Sequence, residues 1–387
     1  AAFFNMCRPL ELVFSNGVDK GAQISIKTGN VEDMTTFEEF YNAYKAQETY
    51  MIGLMVNAIN AIDTAHSERV PLPFLSCMVE DCVKEGKTVQ EGGAHYNFTG
   101  PQGFGIANMA DGLWAVKTLV FDEKKVTMAE LKDALIHNYG QGLSPKAAKN
   151  ATQEVINLAK AGKSVNESQV ADICRMFLTG EQDPTKRKRY EEILDMINEL
   201  PKYGNDIEEI DMLARDVANI YAKELEKHKN PRGGMFQAGL YPVSANVPLG
   251  EQTGATPDGR LANTPIADGV GPRQGADTKG PTAAANSVAK LEHGRASNGT
   301  LYNQKFHPSA LSGDRGLDNF VSLIRTYFDR KGSHMQFNVV DRNTLLDAQE
   351  HPEQYRHLVV RVAGYSAFFV ELSQEIQDDI IRRTAHQ

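Results

Sequence analysis

The sequence predicts an α/β fold organised as a barrel. Helical patterns alternate with short apolar runs along the 387 residues. Short strands that are apolar throughout are typical of buried sheets covered by helices, and they favour a barrel over an open sheet. No internal repeat, low-complexity tract or linker divides the chain, so the alternation belongs to one continuous architecture.

Composition narrows the classes of function. Hydrophobic residues make up 41% and charged residues 24%, which is ordinary for a globular chain. The formal net charge of −9 leaves no basic surface for nucleic acid or an anionic membrane. No apolar run has the length of a membrane span and no secretory signal opens the chain. Four cysteines without a Cys-x-x-Cys pair indicate reduced, mostly buried thiols, so we expect a cytoplasmic protein.

The first third of the chain carries four helical patterns. Residues 1–16 are dense enough in apolar side chains to predict a buried helix. Thr36 and Glu39 have the spacing of a capping box and predict the start of a long helix with a mixed apolar stripe. A further amphipathic stretch covers residues 71–88, and another helix is expected near 106–120.

The middle of the chain changes in composition. Lys, Gln, Asn and Glu dominate residues 141–190, which predicts a helical insertion on the surface. The basic run 186–189 could indicate a nucleic-acid patch, but acidic residues follow it at once. A solvated helix start explains that run better.

The last part of the chain combines a loop-rich segment with regular elements. A helix over 205–228 ends at a Pro-Arg-Gly-Gly stop, and glycine, proline and small polar residues then crowd together up to residue 283. A loop-rich run of this length is improbable in a compact protein unless it is functional or held by the core, so we place a substrate wall there. Further predicted elements are a helix over 317–330, an alternating strand over 335–339 and a closing helix over 373–384.

A glycine follows the β-branched run Leu358-Val359-Val360-Arg361-Val362. In structural terms this is a buried strand that enters a tight turn, with Gly364 supplying backbone freedom. The longer string Arg361-Val362-Ala363-Gly364-Tyr365-Ser366, however, resembles the radical-bearing motif of the glycyl radical enzymes. An unpaired electron on a glycine α-carbon is shared with the flanking amide nitrogen and carbonyl, and this requires a planar centre that a side chain would crowd. The resemblance therefore implies that Gly364 stores the radical, and we expect it to be buried inside a barrel-like enclosure close to the 241 region.

Four other segments resemble the same family, in the same order along the chain. They are Tyr96-Asn97-Phe98-Thr99-Gly100-Pro101-Gln102-Gly103, Gly239-Leu240-Tyr241-Pro242, Gly254-Ala255-Thr256-Pro257-Asp258-Gly259-Arg260 and Asn303-Gln304-Lys305-Phe306-His307-Pro308. The resemblance implies the C-terminal half of the family's ten-stranded α/β barrel, with many surrounding helices. Residues 1–260 would belong to the pyruvate formate-lyase-like barrel domain and residues 261–387 to the glycine radical domain.

The same resemblance, which is strongest to the diol dehydratase branch, implies an activity. It implies a B12-independent dehydratase that removes water from propane-1,2-diol or glycerol to give an aldehyde. Tyr241 stands where diol-acting members have a pocket tyrosine, although a core tyrosine with a satisfied hydroxyl would look the same. Arg361, Tyr365 and Ser366 would support the radical loop. Arg232 and Arg260 are expected to point away from the cavity, because a diol has no charge for them to bind.

The resemblance also implies how the protein is activated and where it acts. It implies no bound cofactor and no metal, since the radical on Gly364 is installed after translation by a radical S-adenosylmethionine activating enzyme. It further implies a homodimer, and it leaves open whether a bacterial microcompartment encloses the protein.

The family also needs a cysteine that forms a thiyl radical. In the diol-acting members a glutamate follows that cysteine two residues on, whereas Arg8 and Pro9 follow Cys7. The contexts of Cys77, Cys82 and Cys174 do not fit either, so all four are expected to be structural. The chain also opens without a methionine in the middle of an apolar pattern, and we expect the thiyl cysteine to lie before residue 1.

Other functions stay open at this point. One group is lyases of the same family that cleave choline, isethionate or hydroxyproline, or formate acetyltransferase itself. A different class is a non-catalytic subunit that supplies a spare glycyl radical. Such a subunit would resemble only the radical-bearing end, whereas the resemblance here extends over almost the whole chain.

Overall fold

The computed structural model describes residues 2–142, 180–181 and 183–386. Helices α1 to α6 of the first half are Cys7–Phe14, Phe37–Arg69, Pro73–Cys77, Cys82–Glu85, Ile106–Ala115 and Met128–Ile136. Helix α5 continues into a π-helical turn at Val116–Asp122. Those of the second half are α7 to α13: Pro184–Glu199, Glu208–Leu225, Asn246–Gly250, Pro281–Ala289, Gly313–Asp329, Arg342–Glu350 and Gln374–Arg382.

Short strands lie between the helices. Strands β1 to β9 are Phe3–Asn5, Val18–Asp19, Ala22–Gln23, Gln102–Phe104, Asn303–Phe306, Gln336–Val339, Val359–Arg361, Ser366–Phe368 and Ala385–His386. β1 pairs in parallel with β4, and β5 pairs in parallel with both β6 and β9. β2 with β3 and β7 with β8 form small antiparallel hairpins.

Isolated parallel bridges connect these pairs into one row. Gln102 in β4 bridges to Gly239, and Leu240 bridges to Thr300 just before β5. Among the described residues, five parallel segments therefore lie side by side, in the order β1, β4, 236–240, 300–306 and β6. Helix-rich connections separate them along the chain, and this confirms the α/β prediction.

The local signals explain most helix boundaries. Thr36 and Glu39 form both hydrogen bonds of the predicted capping box at the start of α2. The basic run lies in the exposed first turns of α7, as expected of a solvated helix start, with Asp183 as the N-cap. Of the insertion expected over 141–190, only residues 141–142, 180–181 and 183–190 lie within the described residues.

Two sequence predictions of local structure are wrong. The helix expected over 1–16 is preceded by β1, because Phe3–Asn5 pairs with Gln102–Phe104 and only then does α1 begin. A short apolar run cannot distinguish a strand from a helix by its period. The stretch 71–88 also forms two short helices rather than one, because a left-handed Asp81, with a φ of 70°, separates α3 from α4.

The buried apolar side chains form two clusters. The larger one fills the space between the parallel segments and the helices that cover them. The smaller one comes only from the C-terminal part of the chain and consists of Val340, Leu345, Ala348, Val360, Val362, Phe369, Ile380 and Ile381. The hairpin β7–β8 is therefore held by its own small core, which packs beside the parallel row.

Candidate active site

Gly364 lies in the turn of the β7–β8 hairpin. Its φ is +85°, a conformation that other L-residues rarely adopt, and the turn is closed by a hydrogen bond from Val362 N–H to the Tyr365 carbonyl oxygen of 2.9 Å. The glycine is thus required by the turn itself, as well as by any chemistry on its α-carbon. The strand followed by a tight turn that the sequence predicts is confirmed.

The exposure of Gly364 differs from the prediction. The residue is exposed in this chain, so the expected burial inside an enclosure is wrong for the described residues. The reason is that the five parallel segments form an open row, which does not surround the hairpin. The expected proximity to the 241 region is nevertheless found. A Cβ on Gly364 would lie 3.3 Å from Leu301, and Leu301 N–H donates to the carbonyl oxygen of Leu240, the neighbour of Tyr241.

A polar cradle holds the hairpin on its β6 side. The side-chain oxygen of Gln336 accepts hydrogen bonds from Gly364 N–H at 3.3 Å and from the Arg361 guanidinium at 2.9 Å. Arg361 also donates to the hydroxyl of Ser366 at 3.1 Å, across the hairpin. Asn338 exchanges two 2.8 Å hydrogen bonds with the backbone of Arg361. Strand β6 thereby fixes both the start of the turn and the peptide of its glycine.

A second layer supports the cradle from behind. Asn303 donates to the carbonyl oxygen of Val362 at 3.1 Å and to the carboxylate of Asp268, and it accepts from the side chain of Gln336. Arg383 donates to the same Val362 oxygen at 2.9 Å and forms an ion pair of 3.2 Å with Asp268. Residues that lie far apart in the sequence therefore converge on one carbonyl of the turn.

Buried charges connect the closing helix to this layer. The ammonium group of Lys305 donates to the carbonyl oxygens of Ile380 and Ile381 at 3.1 and 2.9 Å, near the C-terminal end of α13. Burial, together with the positive charge of Arg383, lowers the pKa of Lys305 to about 8. Burial likewise raises the pKa of Asp379, although its ion pair with Arg383 opposes this shift.

Tyr241 lies at the end of the neighbouring parallel segment. Its hydroxyl oxygen accepts hydrogen bonds from the side-chain amides of Asn298 at 3.0 Å and Gln102 at 3.3 Å. A Cβ on Gly239 would come within 2.8 Å of both the Tyr241 ring and the Asn298 amide, so only glycine fits there. The phenol is half-buried and held in one orientation by neutral groups.

Comparison with known proteins decides the family. The family model described as pyruvate formate lyase-like matches residues 1–250, and the model described as glycine radical matches residues 266–370. The chain belongs to the glycyl radical enzymes.

Individual relatives agree with this assignment. A solved structure from work on 1,2-propanediol dehydration in Roseburia inulinivorans is 63% identical, with a TM-score of 0.93, over 99% of this chain and 46% of that one. The B12-independent glycerol dehydratase of Clostridium butyricum is 51% identical with a TM-score of 0.85, over 99% of this chain and 43% of that one. The trans-4-hydroxy-L-proline dehydratase of Clostridioides difficile is 37% identical, over 99% of this chain and 43% of its own length. The chain thus spans less than half the length of these glycyl radical enzymes, and it has the fold of that part.

Three of the four cysteines lie within the described residues. Cys7 is fully buried in α1, and burial raises the pKa of its thiol, so it stays protonated. Cys82 is buried and Cys77 is exposed, while Cys174 lies outside the described residues. The structural role expected for Cys7 agrees with its place in the main core.

The two arginines of the loop-rich segment are engaged elsewhere. Arg232 pairs with Asp63 at 2.8 Å and donates to the backbone of Phe98. Arg260 is buried and donates to carbonyl oxygens of its own loop, including that of Thr264 at 2.7 Å. Arg232 is thus used to hold the segment around Phe98, and Arg260 to hold its own loop.

Three further observations concern what the described residues could bind or cross. No group of three or more His, Cys, Asp or Glu side chains within 2–142, 180–181 and 183–386 is arranged to hold a metal ion. Over the same ranges, no helix combines the length and the apolar character needed to cross a membrane. A cavity of about 480 Å³ is lined by Phe14, Leu135 and Gly180 among others, and neither Gly364 nor Tyr241 lines it.

Sequence reasoning missed most of the cradle. The sequence does not single out Gln336, Asp268 or Arg383 of the cradle, nor Asn298 beside Tyr241. One signal was available, because alternate residues of a strand share a face. Gln336 and Asn338 have that spacing in the predicted strand over 335–339, and both contact the hairpin.

Proposed function

We propose that this chain is part of a B12-independent diol dehydratase that converts propane-1,2-diol or glycerol to an aldehyde and water. Gly364 would store the radical, and Tyr241 would bind a substrate hydroxyl. Two relatives support the substrate class, since the structures with 63% and 51% identity concern 1,2-propanediol dehydration and glycerol dehydratase. The observation that carries the proposal is the hydrogen bonding of the Tyr241 phenol.

The hydroxyl of Tyr241 still has its own proton to donate in a hydrogen bond. A tyrosine hydroxyl can accept two hydrogen bonds and donate one. Its oxygen already accepts from Asn298 and Gln102, and amide nitrogens cannot take its proton. The proton therefore remains available for an acceptor in the pocket. A diol hydroxyl is such an acceptor, and a hydrogen bond to the departing hydroxyl would help it leave.

The overall reaction balances without a further reactant. A hydrogen atom leaves C1, the C2 hydroxyl departs as water together with the proton that the C1 hydroxyl gives up, and the hydrogen atom returns to C2 of the product radical. Propane-1,2-diol then gives propanal and water, with no net oxidation. In this scheme the radical passes from Gly364 through a cysteine thiol. Cys7, Cys77 and Cys82 do not fit that thiol.

Charge supports a neutral substrate over an anionic one. A sulfonate or carboxylate would need a nearby cation to bind it, and the Arg361 guanidinium beside Gly364 already donates to Gln336 and Ser366. Arg232 is held by Asp63 and Arg260 by backbone carbonyls, and neither contacts Tyr241 or Gly364 in the described residues. Isethionate and hydroxyproline cleavage therefore have less support than diol dehydration. The match of residues 1–250 to the pyruvate formate lyase-like model also argues against a spare radical subunit.

The partners and the location belong to the same proposal. A radical S-adenosylmethionine activating enzyme would install the radical on Gly364. A homodimer, a cytoplasmic location and enclosure in a microcompartment remain predictions.

The test is a comparison of substrates in the full-length protein. After anaerobic activation, aldehyde formation from propane-1,2-diol and glycerol is measured beside sulfite release from isethionate and dehydration of hydroxyproline. The proposal expects turnover of a diol with the highest kcat/KM. Preference for isethionate or hydroxyproline, with a normal radical signal, would contradict the diol assignment and leave the family assignment intact.

A further inference from the structure

Gln336 is the side chain that meets the peptide of Gly364. It opens strand β6, only 5% of it is exposed, and its oxygen accepts the Gly364 N–H at 3.3 Å. The Arg361 guanidinium shares the same oxygen at 2.9 Å. This contact therefore lies on the amino side of the α-carbon that would carry the radical, where the nitrogen shares the unpaired electron.

The orientation of Gln336 follows from the groups at the two ends of its network. At one end the carboxylate of Asp268 and the carbonyl of Val362 can only accept, so Asn303 must turn its nitrogen toward them. Its oxygen then faces the Gln336 nitrogen. At the other end the Gln336 oxygen faces Arg361 and Gly364, which can only donate. Each of these donors meets an acceptor, so a flipped Gln336 amide would create unfavourable contacts with Asn303 at one end and with Arg361 and Gly364 at the other.

This arrangement of donors and acceptors affects the stability of a radical on Gly364. A glycyl radical is stabilised when the amide nitrogen donates electron density and the carbonyl withdraws it, which requires the flanking peptides to be coplanar with the α-carbon. An acceptor on the N–H increases the electron density on nitrogen and restrains that peptide. We propose that Gln336, oriented by Asn303 and Asp268, is the positioning residue that fixes the Gly364 N–H and stabilises the stored radical. The inference rests on the proposed role of Gly364 as the radical store, and it does not depend on the substrate.

A purely structural role would look different. Asn338 also holds the hairpin, through the backbone of Arg361, but it does not touch the Gly364 peptide. If β6 only anchored the hairpin, replacing Gln336 or Asn338 would have similar effects. If Gln336 acts on the radical, only its replacement should change the spectrum of the Gly364 nitrogen.

The experiment uses the full-length protein, labelled with ¹⁵N-glycine and activated anaerobically by a radical S-adenosylmethionine activase without substrate. Gln336→Leu is compared with Asn338→Leu as the matched control. We expect Gln336→Leu to reduce the ¹⁵N hyperfine coupling of the radical and to make its anaerobic decay about two- to tenfold faster, the range that one hydrogen bond spans. Asn338→Leu should keep the coupling of the unaltered protein. An unchanged coupling and decay rate in Gln336→Leu would overturn the inference.

A second, more conservative variant tests the inference if Gln336→Leu does not fold. Gln336→Glu keeps an acceptor for Gly364 N–H and Arg361 and loses only the donor to Asn303. It should therefore retain the ¹⁵N coupling, and a coupling lost in this variant would contradict the inference. Diol turnover is assayed separately. A normal radical without diol turnover would count against the proposed substrate alone, whereas the absence of a glycyl radical in the unaltered protein would contradict both proposals.

Discussion

Replacing Tyr241 with phenylalanine tests the donor role of its hydroxyl. Phenylalanine keeps the ring that packs on Gly239 and removes only the oxygen that Asn298 and Gln102 contact. The substrate would lose one donor, worth about 0.5–1.5 kcal/mol in a typical case. If the bond is made in the transition state, kcat/KM for propane-1,2-diol should fall by about three- to tenfold. Both amide partners are half-buried and can turn to water, so we expect the free energy of unfolding to fall by only about 1 kcal/mol.

The assay is aldehyde formation by the full-length protein, normalised to the Gly364 radical counted by electron paramagnetic resonance. Tyr139→Phe is the matched control, because the Tyr139 hydroxyl is buried and donates to the carbonyl oxygen of Thr256 at 2.9 Å, within the core. It removes the same atom at a comparable or larger loss of stability, and kcat/KM per radical should stay unchanged. A kcat/KM for Tyr241→Phe within about twofold of the unaltered protein would refute the reasoning, as would an equal loss in the control.

Two other predictions concern buried groups. The pKa of Lys305 is about 8 in the fold, against an ordinary lysine value of 10.5. Its protonation therefore opposes folding below pH 8, and that penalty disappears as the pH rises to 10.5. Denaturant titrations at each pH should therefore show that the free energy of unfolding of the unaltered protein rises relative to that of Lys305→Met, by about 1–3 kcal/mol between pH 8 and 10. A difference between the two proteins that does not change with pH would contradict the lowered pKa of Lys305. Cys7→Ala should retain both the radical and diol turnover, because the thiol is buried and its pKa is raised; loss of turnover with the radical intact would identify Cys7 as the thiyl residue.

The parts of the fold that the sequence predicts are those set by neighbouring residues. The capping box at Thr36 and Glu39 needs only a spacing of three, and the glycine turn needs only a β-branched run with a glycine beyond it. The stop after α8 depends equally on nearby glycine and proline. Local chemistry decided these boundaries, and the structure confirms them.

The cradle around Gly364 could not be predicted in the same way. Asp268, Gln336 and Arg383 belong to a loop, a strand and the end of a helix, and only the packing of the parallel row brings them to one turn. The exposure of Gly364 could not be predicted either, because the sequence around it is the same whether or not other strands cover the hairpin. The β1 strand was missed for a related reason, since its partner lies about a hundred residues away in β4.

The radical itself offers the most direct test of the central claim. The full-length protein is grown with glycine deuterated at its α-carbon, activated anaerobically, and its electron paramagnetic resonance spectrum is compared with that of the unlabelled protein and of Gly364→Ala. A radical on Gly364 keeps one α-hydrogen, so the unlabelled protein should show a doublet that collapses on deuteration and is absent from Gly364→Ala. A doublet that survives in Gly364→Ala, or a signal that deuterated glycine leaves unchanged, would contradict the assignment of Gly364 as the radical store.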